Sequence, residues 1–370
     1  MRKAIPFFNY PALFARHQSE LMPIIEDVLR RGAYVMQKDL VEFESNLAKY
    51  LGVKHVIGVA DGTVALMMGL RAAGIADGDE VIVPSHTFVA SAAAIKHVGA
   101  IPVLADCGAD HLITADAVRR KLSARTRGIM PVHLNGRTAD MDGIVQIASE
   151  HDLVIMEDSA QALGSMFSGR FAGTFGVAGT CSFYPSKTLG CFGDGGAVFT
   201  DNDEFADFVR LLRDHGRCPS GDVVTWGYNA RLDNLQAAVL NFKLKFYPAE
   251  IERRRHLASL YDDNLGDLLQ LALPPAPGSD PLHYDIFQNY EVMADRRDAL
   301  RAYLDEHGVK TIIQWGGKTI HQFRELGLND DVPFTEAMTQ RYLLLPMNSS
   351  LMDDDVLYIC ERMRAFYGAR

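Results

Sequence analysis

No run of about 18 apolar residues occurs in this sequence, so nothing in it reads as a membrane-spanning helix. Cysteine is scarce and lacks a pairing pattern. Cys107, Cys181, Cys191, Cys218 and Cys360 are odd in number, scattered, and include no C-x-x-C pair. That usage excludes a zinc ribbon and predicts reduced thiols in a cytoplasmic protein, with no metal site. Positive charge is also in short supply: Lys+Arg number 37 against 47 Asp+Glu, a net charge of −10. A phosphate backbone wants a basic face, so nucleic acid is not expected as a partner. The N-terminus has two positive charges, Arg2 and Lys3, with no apolar run after them, which predicts no signal peptide. There are no internal repeats and no low-complexity tracts. No G-x-G-x-x-G opens a helix after a strand, which speaks against a dinucleotide enzyme.

What is present is a chain of 370 residues, enough for one large and one small domain. Apolar runs of strand length recur at 55–59, 80–83, 101–104, 128–132, 153–156, 180–183 and 197–200. Their continuous rather than alternating character predicts strands buried on both faces of a mostly parallel sheet. Helix-period segments lie between them at 63–73, 90–97 and 205–214. This is the alternation of a doubly wound α/β domain, in which ligands sit at the carboxyl ends of strands. A long helix is predicted over 235–264, ended or kinked at Pro248, with Arg253-Arg254-Arg255 as a solvated face. The Pro274–Ser279 stretch reads as a loop inside the second domain. A strand (288–293), a helix (296–307), a strand (310–315) and a closing helix (354–367) follow. The division is therefore 1–245, a large α/β domain with an N-terminal arm, and 246–370, a small α+β domain.

Four segments carry chemistry. Phe183-Tyr184-Pro185-Ser186-Lys187-Thr188-Leu189-Gly190, followed by Gly193-Asp194-Gly195-Gly196, sets a lysine just past a strand and beside a Gly-rich loop. Glycine there permits close backbone approach to a bulky ligand, although a lone lysine in a turn is usually solvated. Val154-Ile155-Met156-Glu157-Asp158 runs three apolar residues into two acids, where a buried sheet does not place charge without reason. Asp158 reads either as a ligand-facing carboxylate or as a cap of the next helix. Gln161 reads either as a ligand contact or as a helix-surface amide. Val59-Ala60-Asp61-Gly62-Thr63 puts free amides at a helix start, an anion site or a plain N-cap. Phe88, just after a strand, is either an aromatic face for a ring or part of the core. Lysine, carboxylate, anion site and aromatic face are together what pyridoxal 5'-phosphate requires.

Read together, D-G-T-x-A-L, S-H-T-F-V-A, P-V-H-L-N-G, E-D-S-A-Q-A-L-G, S-F-Y-P-S-K-T-L-G, G-D-G-G-A and G-Y-N-A-R-L-D-N-L-Q-A-A resemble the DegT/DnrJ/StrS family. The resemblance runs from about residue 5 to the C-terminus in the family's order and spacing. These are nucleotide-sugar aminotransferases with the aspartate-aminotransferase-like, type I pyridoxal-phosphate fold. The resemblance implies Lys187 as the imine lysine and proton shuttle, and Asp158 as partner of the pyridine nitrogen. It places Gln161 at the ring hydroxyl, Phe88 against the ring, and Gly62, Thr63 and Ser182 at the phosphate. Asn229 would reach the phosphate of the neighbouring subunit, which implies a homodimer with shared active sites. Asp61 departs from the family, which commonly has serine or asparagine there. An acid beside a phosphate is repelled, so Asp61 is expected to point away or to cap the helix.

Some family members carry histidine in place of the lysine and dehydrate their sugar; this chain keeps lysine, which favours a transaminase. The implied reaction moves an amino group from an amino acid, L-glutamate in most members, to a nucleotide-linked keto-deoxy sugar, 3-keto favoured over 4-keto. The amino sugar would serve glycan or lipopolysaccharide O-antigen biosynthesis. His321 lies where the family often has a sugar-proximal histidine, although a satisfied structural histidine is the better reading. Arg231 could meet the nucleotide diphosphate or a glutamate carboxylate, or pair with Asp233. The rival readings are a lyase or sugar dehydratase of the same fold, and a regulatory protein that binds the cofactor without turnover.

Overall fold

A computed structural model describes residues 3–368 of the chain. Two helices open it, α1 (Tyr10–Arg31) and α2 (Lys38–Leu51). Strands and helices then alternate: β1 (His55–Val59), α3 (Gly62–Ala72), β2 (Glu80–Pro84), α4 (Val89–His97), β3 (Ile101–Ala105), α5 (Ala115–Lys121), β4 (Thr126–Ile129), α6 (Met141–His151) and β5 (Val154–Asp158). The two-residue strands β6 (Met166–Phe167) and β7 (Arg170–Phe171) precede β8 (Ala178–Ser182), β9 (Gly196–Thr200) and α7 (Asp203–Arg213). The central sheet has the order β1-β9-β8-β5-β4-β2-β3, with β9 antiparallel to both its neighbours and the rest running one way. Its central runs are buried throughout, as at Val81, Ile82 and Val83, so their continuous apolar pattern follows from helices covering both faces.

The remaining chain forms α8 (Asn234–Leu244), α9 (Tyr247–Leu265), β10 (Leu271–Ala272), β11 (His283–Tyr284), β12 (Tyr290–Ala294), α10 (Arg297–Glu306), α11 (Pro333–Met338), β13 (Tyr342–Leu345) and α12 (Asp353–Tyr367). A second sheet, β10-β12-β13, packs with α9, α10 and α12 around a separate apolar cluster. Ile5 belongs to that cluster, and its backbone pairs with Val309, so the N-terminal arm is tied to elements more than three hundred positions downstream.

The expected long helix over 235–264 is two helices, broken at Lys245–Phe246. Pro248 sits in the first turn of α9, where its missing N–H leaves no bond unmade. The strand expected at 310–315 is absent. Ile312 makes an isolated bridge to Leu344, and the backbone then turns left-handed at Trp315 (φ 52°), Gly316 and Gly317. Two successive glycines permit that turn, and it ends pairing. The solvated face expected at 253–255 is corrected at its centre. Arg254 is buried and donates to the carbonyls of Phe287, Gln288 and Met347, tying α9 to the start of β12. Replacing Arg254 with leucine orphans three buried carbonyls and is expected to cost about 3 kcal/mol of stability. An unfolding midpoint unchanged from wild type would contradict this.

Candidate active site

Several strands of the central sheet end around one cavity of about 690 Å³. It lies at the carboxyl ends of β1, β2, β5 and β8, where the open edges of strand-to-helix turns leave amides and side chains unpaired. Gly62, Thr63, Phe88, Asp158, Gln161, Ser182 and Lys187 all line it. The fold thus gathers residues that are up to 125 positions apart in the chain (187 − 62).

Lys187 stands on a turn in which its own N–H donates to Tyr184 O at 2.8 Å. The small sheet brackets that turn. Gln288, just before β12, accepts from Thr188 N (2.7 Å) and Thr188 Oγ1 (2.6 Å), and its Nε2 donates to Ser186 O (2.7 Å). Among the described residues no acceptor holds the Lys187 ammonium. Burial pushes its pKa below the ordinary lysine value, and the negative Asp158 opposes part of that shift. The result is an amine readier than usual to be neutral and nucleophilic.

Asp158 ends β5 with its carboxylate held on one edge. Oδ2 accepts from Ser91 Oγ at 2.8 Å, and Ser91 Oγ also contacts Thr87 Oγ1 at 2.9 Å. Oδ1 accepts from Ala160 N at 3.1 Å. Side chains alternate along a strand, so the neighbouring acid points the other way. Glu157 is fully buried and accepts from His133 Nε2 (2.8 Å) and from the amides of Gly173, Phe175 and Gly176. Glu157 is an architectural anion, and only Asp158 of the pair faces the cavity.

The anion site is built at the start of α3. Asp61 caps the helix, its Oδ1 accepting from Val64 N at 2.9 Å, and the first intrahelical bond runs from Ala65 N to Asp61 O. The amides of Gly62 and Thr63 precede that bond and are left for a ligand. A Cβ on Gly62 would meet the Ser182 Cβ at 2.9 Å, so glycine is what lets Ser182 stand beside these amides. Phe88 is 52% exposed at the cavity wall rather than packed in the core. Gln161 accepts through Oε1 from Asn135 N (3.0 Å) and Asn289 Nδ2 (3.1 Å), which is not the surface amide of the bland reading.

Three predicted residues are not brought to this cavity. His321 is occupied elsewhere: Nδ1 contacts Ser85 Oγ (2.7 Å) and Thr319 Oγ1 (3.1 Å), and Nε2 meets Glu336. Those partners fit the structural reading of His321, which does not line this cavity. Arg231 pairs with Asp214 (2.9 Å) and not with Asp233, and its second donor reaches Asn229 Oδ1. Asn229 is exposed. The motifs also missed residues that matter here: Ser91, Tyr184, Gln288, Asn289, Gln314 and Trp315 line the cavity. Ser91 had a signal, lying one helical turn after Thr87. The amides of the small sheet had none.

His86, His111 and Glu291 have donor atoms within 4.8 Å of one another. His111 Nδ1 lies 2.6 Å from Glu291 Oε1, a proton-sharing distance. Two ligands of one tetrahedral zinc, each about 2.1 Å from it, stand roughly 3.3 Å apart. The trio reads as a hydrogen-bonded anion, and it holds the Glu291 carboxyl far below its usual range against the opposing effect of burial.

An unpaired, desolvated amine, a carboxylate fixed on one edge and two free helix-start amides fit one ligand class, a phosphorylated pyridine aldehyde. With this sheet they define a pyridoxal-phosphate enzyme of the aspartate-aminotransferase-like fold. The DegT/DnrJ/EryC1/StrS aminotransferase family model matches residues 16–364, and the chain belongs to that family and is a transaminase. It is 37% identical over 366 residues to the dTDP-3-amino-3,4,6-trideoxy-alpha-D-glucose transaminase of Streptomyces venezuelae, covering 97% of this chain and 95% of that one. It is 34% identical over 371 residues to the pleiotropic regulatory protein of Geobacillus stearothermophilus, covering 98% of both. The solved structure of S. venezuelae DesV in complex with a ketimine intermediate superposes with a TM-score of 0.94 at 36% identity, covering 98% of both chains.

Proposed function

We propose that this transaminase moves an amino group from L-glutamate to C3 of a nucleotide-linked 3-keto-deoxy sugar, making an amino sugar for glycan or antigen assembly. The observation that carries the catalytic half is the desolvated Lys187 amine sharing one cavity with the oriented Asp158 carboxylate. The choice of C3 is supported by the 3-amino sugar in the name of the S. venezuelae relative. The test is a screen of nucleotide-linked keto sugars with glutamate, the product identified by NMR. A 4-amino product would overturn the choice of C3.

The bound cofactor would supply an electron sink that makes a C–H beside the substrate nitrogen acidic. Gly62 N, Thr63 N and Ser182 Oγ would hold its phosphate, and Phe88 would lie against its ring. Asp158 would set its carboxylate beside the ring nitrogen, and Ser91 Oγ and Ala160 N hold that carboxylate in place. Lys187 Nζ would accept the proton from the amino-acid α-carbon and give it back during the transfer, a role for which an amine readier than usual to be neutral is suited. Glutamate would leave as its keto acid with its nitrogen retained on the cofactor, and the sugar ketone would take that nitrogen in the reverse sense, with Lys187 Nζ again carrying the proton.

The functional unit we propose is a homodimer in which each chain completes the other's site. Arg231 binds Asn229 Oδ1, which leaves the exposed Asn229 Nδ2 free to donate outward to an anion. In a two-fold pair the same patch serves both chains. Mixing Lys187→Ala with Asn229→Ala chains should then yield heterodimers with one site carrying both lesions and the other carrying neither. Activity is expected to return to roughly a quarter of wild type per total site when chains pair at random. No recovery despite demonstrated subunit exchange would rule out shared sites.

The name of the G. stearothermophilus relative favours a second reading, a regulatory protein. The two readings part on turnover: a regulator leaves glutamate and every keto sugar unchanged. A lyase or dehydratase would form its product equally well without glutamate.

A further inference from the structure

The P-V-H-L-N-G segment bears on the cavity through Asn135, which stands behind Gln161. Asn135 takes a left-handed backbone (φ 57°) that aims its N–H at Gln161 Oε1, 3.0 Å away. A backbone N–H can only donate, so Gln161 must present oxygen to it, and the Gln161 Nε2 hydrogens are left for the cavity. The contacts continue inward. Asn289 Nδ2 donates to both Gln161 Oε1 (3.1 Å) and Asn135 Oδ1 (2.9 Å). Gln314 Nε2 donates to Asn135 Oδ1 (3.0 Å) and to Glu291 Oε2 (3.1 Å). Glu291 Oε1 receives His111 Nδ1 at 2.6 Å and His86 Nε2 at 3.3 Å.

The sense of this chain is set at one end. An ionised carboxylate can only accept, so the Gln314 amide must turn its nitrogen toward Glu291. That nitrogen then faces Asn135, which must present oxygen. Asn289 must in turn present nitrogen to that oxygen, and the same nitrogen reaches Gln161. Each amide is oriented by the one before it. The Asn135 N–H already selects the Gln161 oxygen. The side-chain amide of Asn289 has no such backbone donor, and if inverted it would set its oxygen against Gln161 Oε1 and push that amide out of place. A charged reference at the far end of the chain therefore reinforces the backbone's choice. Glu291 is able to act as that reference because it is buried and has donors on both oxygens.

We propose that Glu291, from strand β12 of the small sheet, is a positioning residue that fixes the Gln161 amide through Gln314, Asn135 and Asn289, so that Nε2–H donates to the ring oxygen of the bound cofactor. The proposal rests on the reading that Gln161 meets that oxygen. It assigns the small sheet a part in tuning the cofactor, beyond enclosing the substrate.

The test is a double-mutant cycle on the full-length protein, read by the dissociation constant of pyridoxal phosphate and by the pH midpoint of the bound cofactor's visible absorbance. Gln161→Leu removes a donor to a ring oxygen. It is expected to weaken cofactor binding about tenfold and to raise the midpoint by about one pH unit, because the donor favours the unprotonated oxygen. Glu291→Gln should move both readouts in the same direction by a smaller factor. The double variant should be no worse than Gln161→Leu alone. Multiplying effects in the double, or no effect of Glu291→Gln where Gln161→Leu has one, would overturn the proposal. If Gln161→Leu changes neither readout, the ring-oxygen reading fails, and the proposal fails with it. Circular dichroism of the apoprotein checks folding. Should Glu291→Gln not fold, Asn289→Asp takes its place in the cycle, since it swaps the donor for an acceptor with little change of shape.

Discussion

Lys187→Ala is expected to lower transamination about 10⁴-fold or more, because in the proposed mechanism one side chain would supply both the covalent anchor and the mobile proton. The wild-type protein should be yellow, and borohydride should fix the cofactor on the peptide that contains Lys187. The variant should still take up pyridoxal phosphate, since the amides of Gly62 and Thr63, Ser182 and the Phe88 face are untouched, but borohydride should no longer attach it. Gln288 contacts Ser186 and Thr188, not the lysine side chain, so the turn should keep its shape in the variant. Label on a different lysine of the wild-type protein would sink the assignment.

Asp158→Asn is expected to slow turnover by about 10²- to 10³-fold, the usual scale for removing one oriented electrostatic partner from a reacting group. The structure indicates why the fold should survive. The asparagine oxygen can keep Ala160 N, and its nitrogen can face Ser91 Oγ, whose own hydrogen can turn toward Thr87. The lesion is therefore one of charge, with shape and hydrogen bonding retained. A near-wild-type rate would mean that another group balances the ring nitrogen. Glu157 cannot do so, being enclosed by His133 and three backbone amides.

The sequence made the large sheet legible because its strands are buried on both faces and announce themselves as unbroken apolar runs. The same burial made Asp158 conspicuous: an acid at the end of such a run has to be satisfied by something. Lys187 was placed at a strand end beside a Gly-rich loop, a setting that alone fits a solvated lysine, and its expected role came from the surrounding motif. Residues whose meaning depends on distant partners were not legible. The sequence left two readings for His321 because nothing local reveals that Ser85 and Glu336 contact its ring nitrogens. Arg254 looked solvated because its acceptors are carbonyls 33 to 93 positions away. Gln288, Asn289 and Gln314 carry no motif, since an amide's orientation is decided by contacts between the two sheets. The strand expected at 310–315 failed on backbone geometry: its apolar pattern was suitable, but Trp315-Gly316-Gly317 turns left-handed.

The tie between Ile5 and Val309 bears on how the molecule is made. Lys3 reaches the carbonyl of Asp354, Ile5 sits in the apolar cluster with β12 and α12, and Phe7 and Phe8 then form part of the cavity wall. Residues 3–8 are synthesised well before α10, β13 and α12, which complete their docking surface. The large sheet can therefore assemble during synthesis while its pocket still lacks a wall. Closure waits on contacts of very long sequence separation, the kind that form slowly. A nascent chain stalled before α12 should accordingly show the sheet's protection from proteolysis but a cavity accessible to small amine-directed reagents at Lys187.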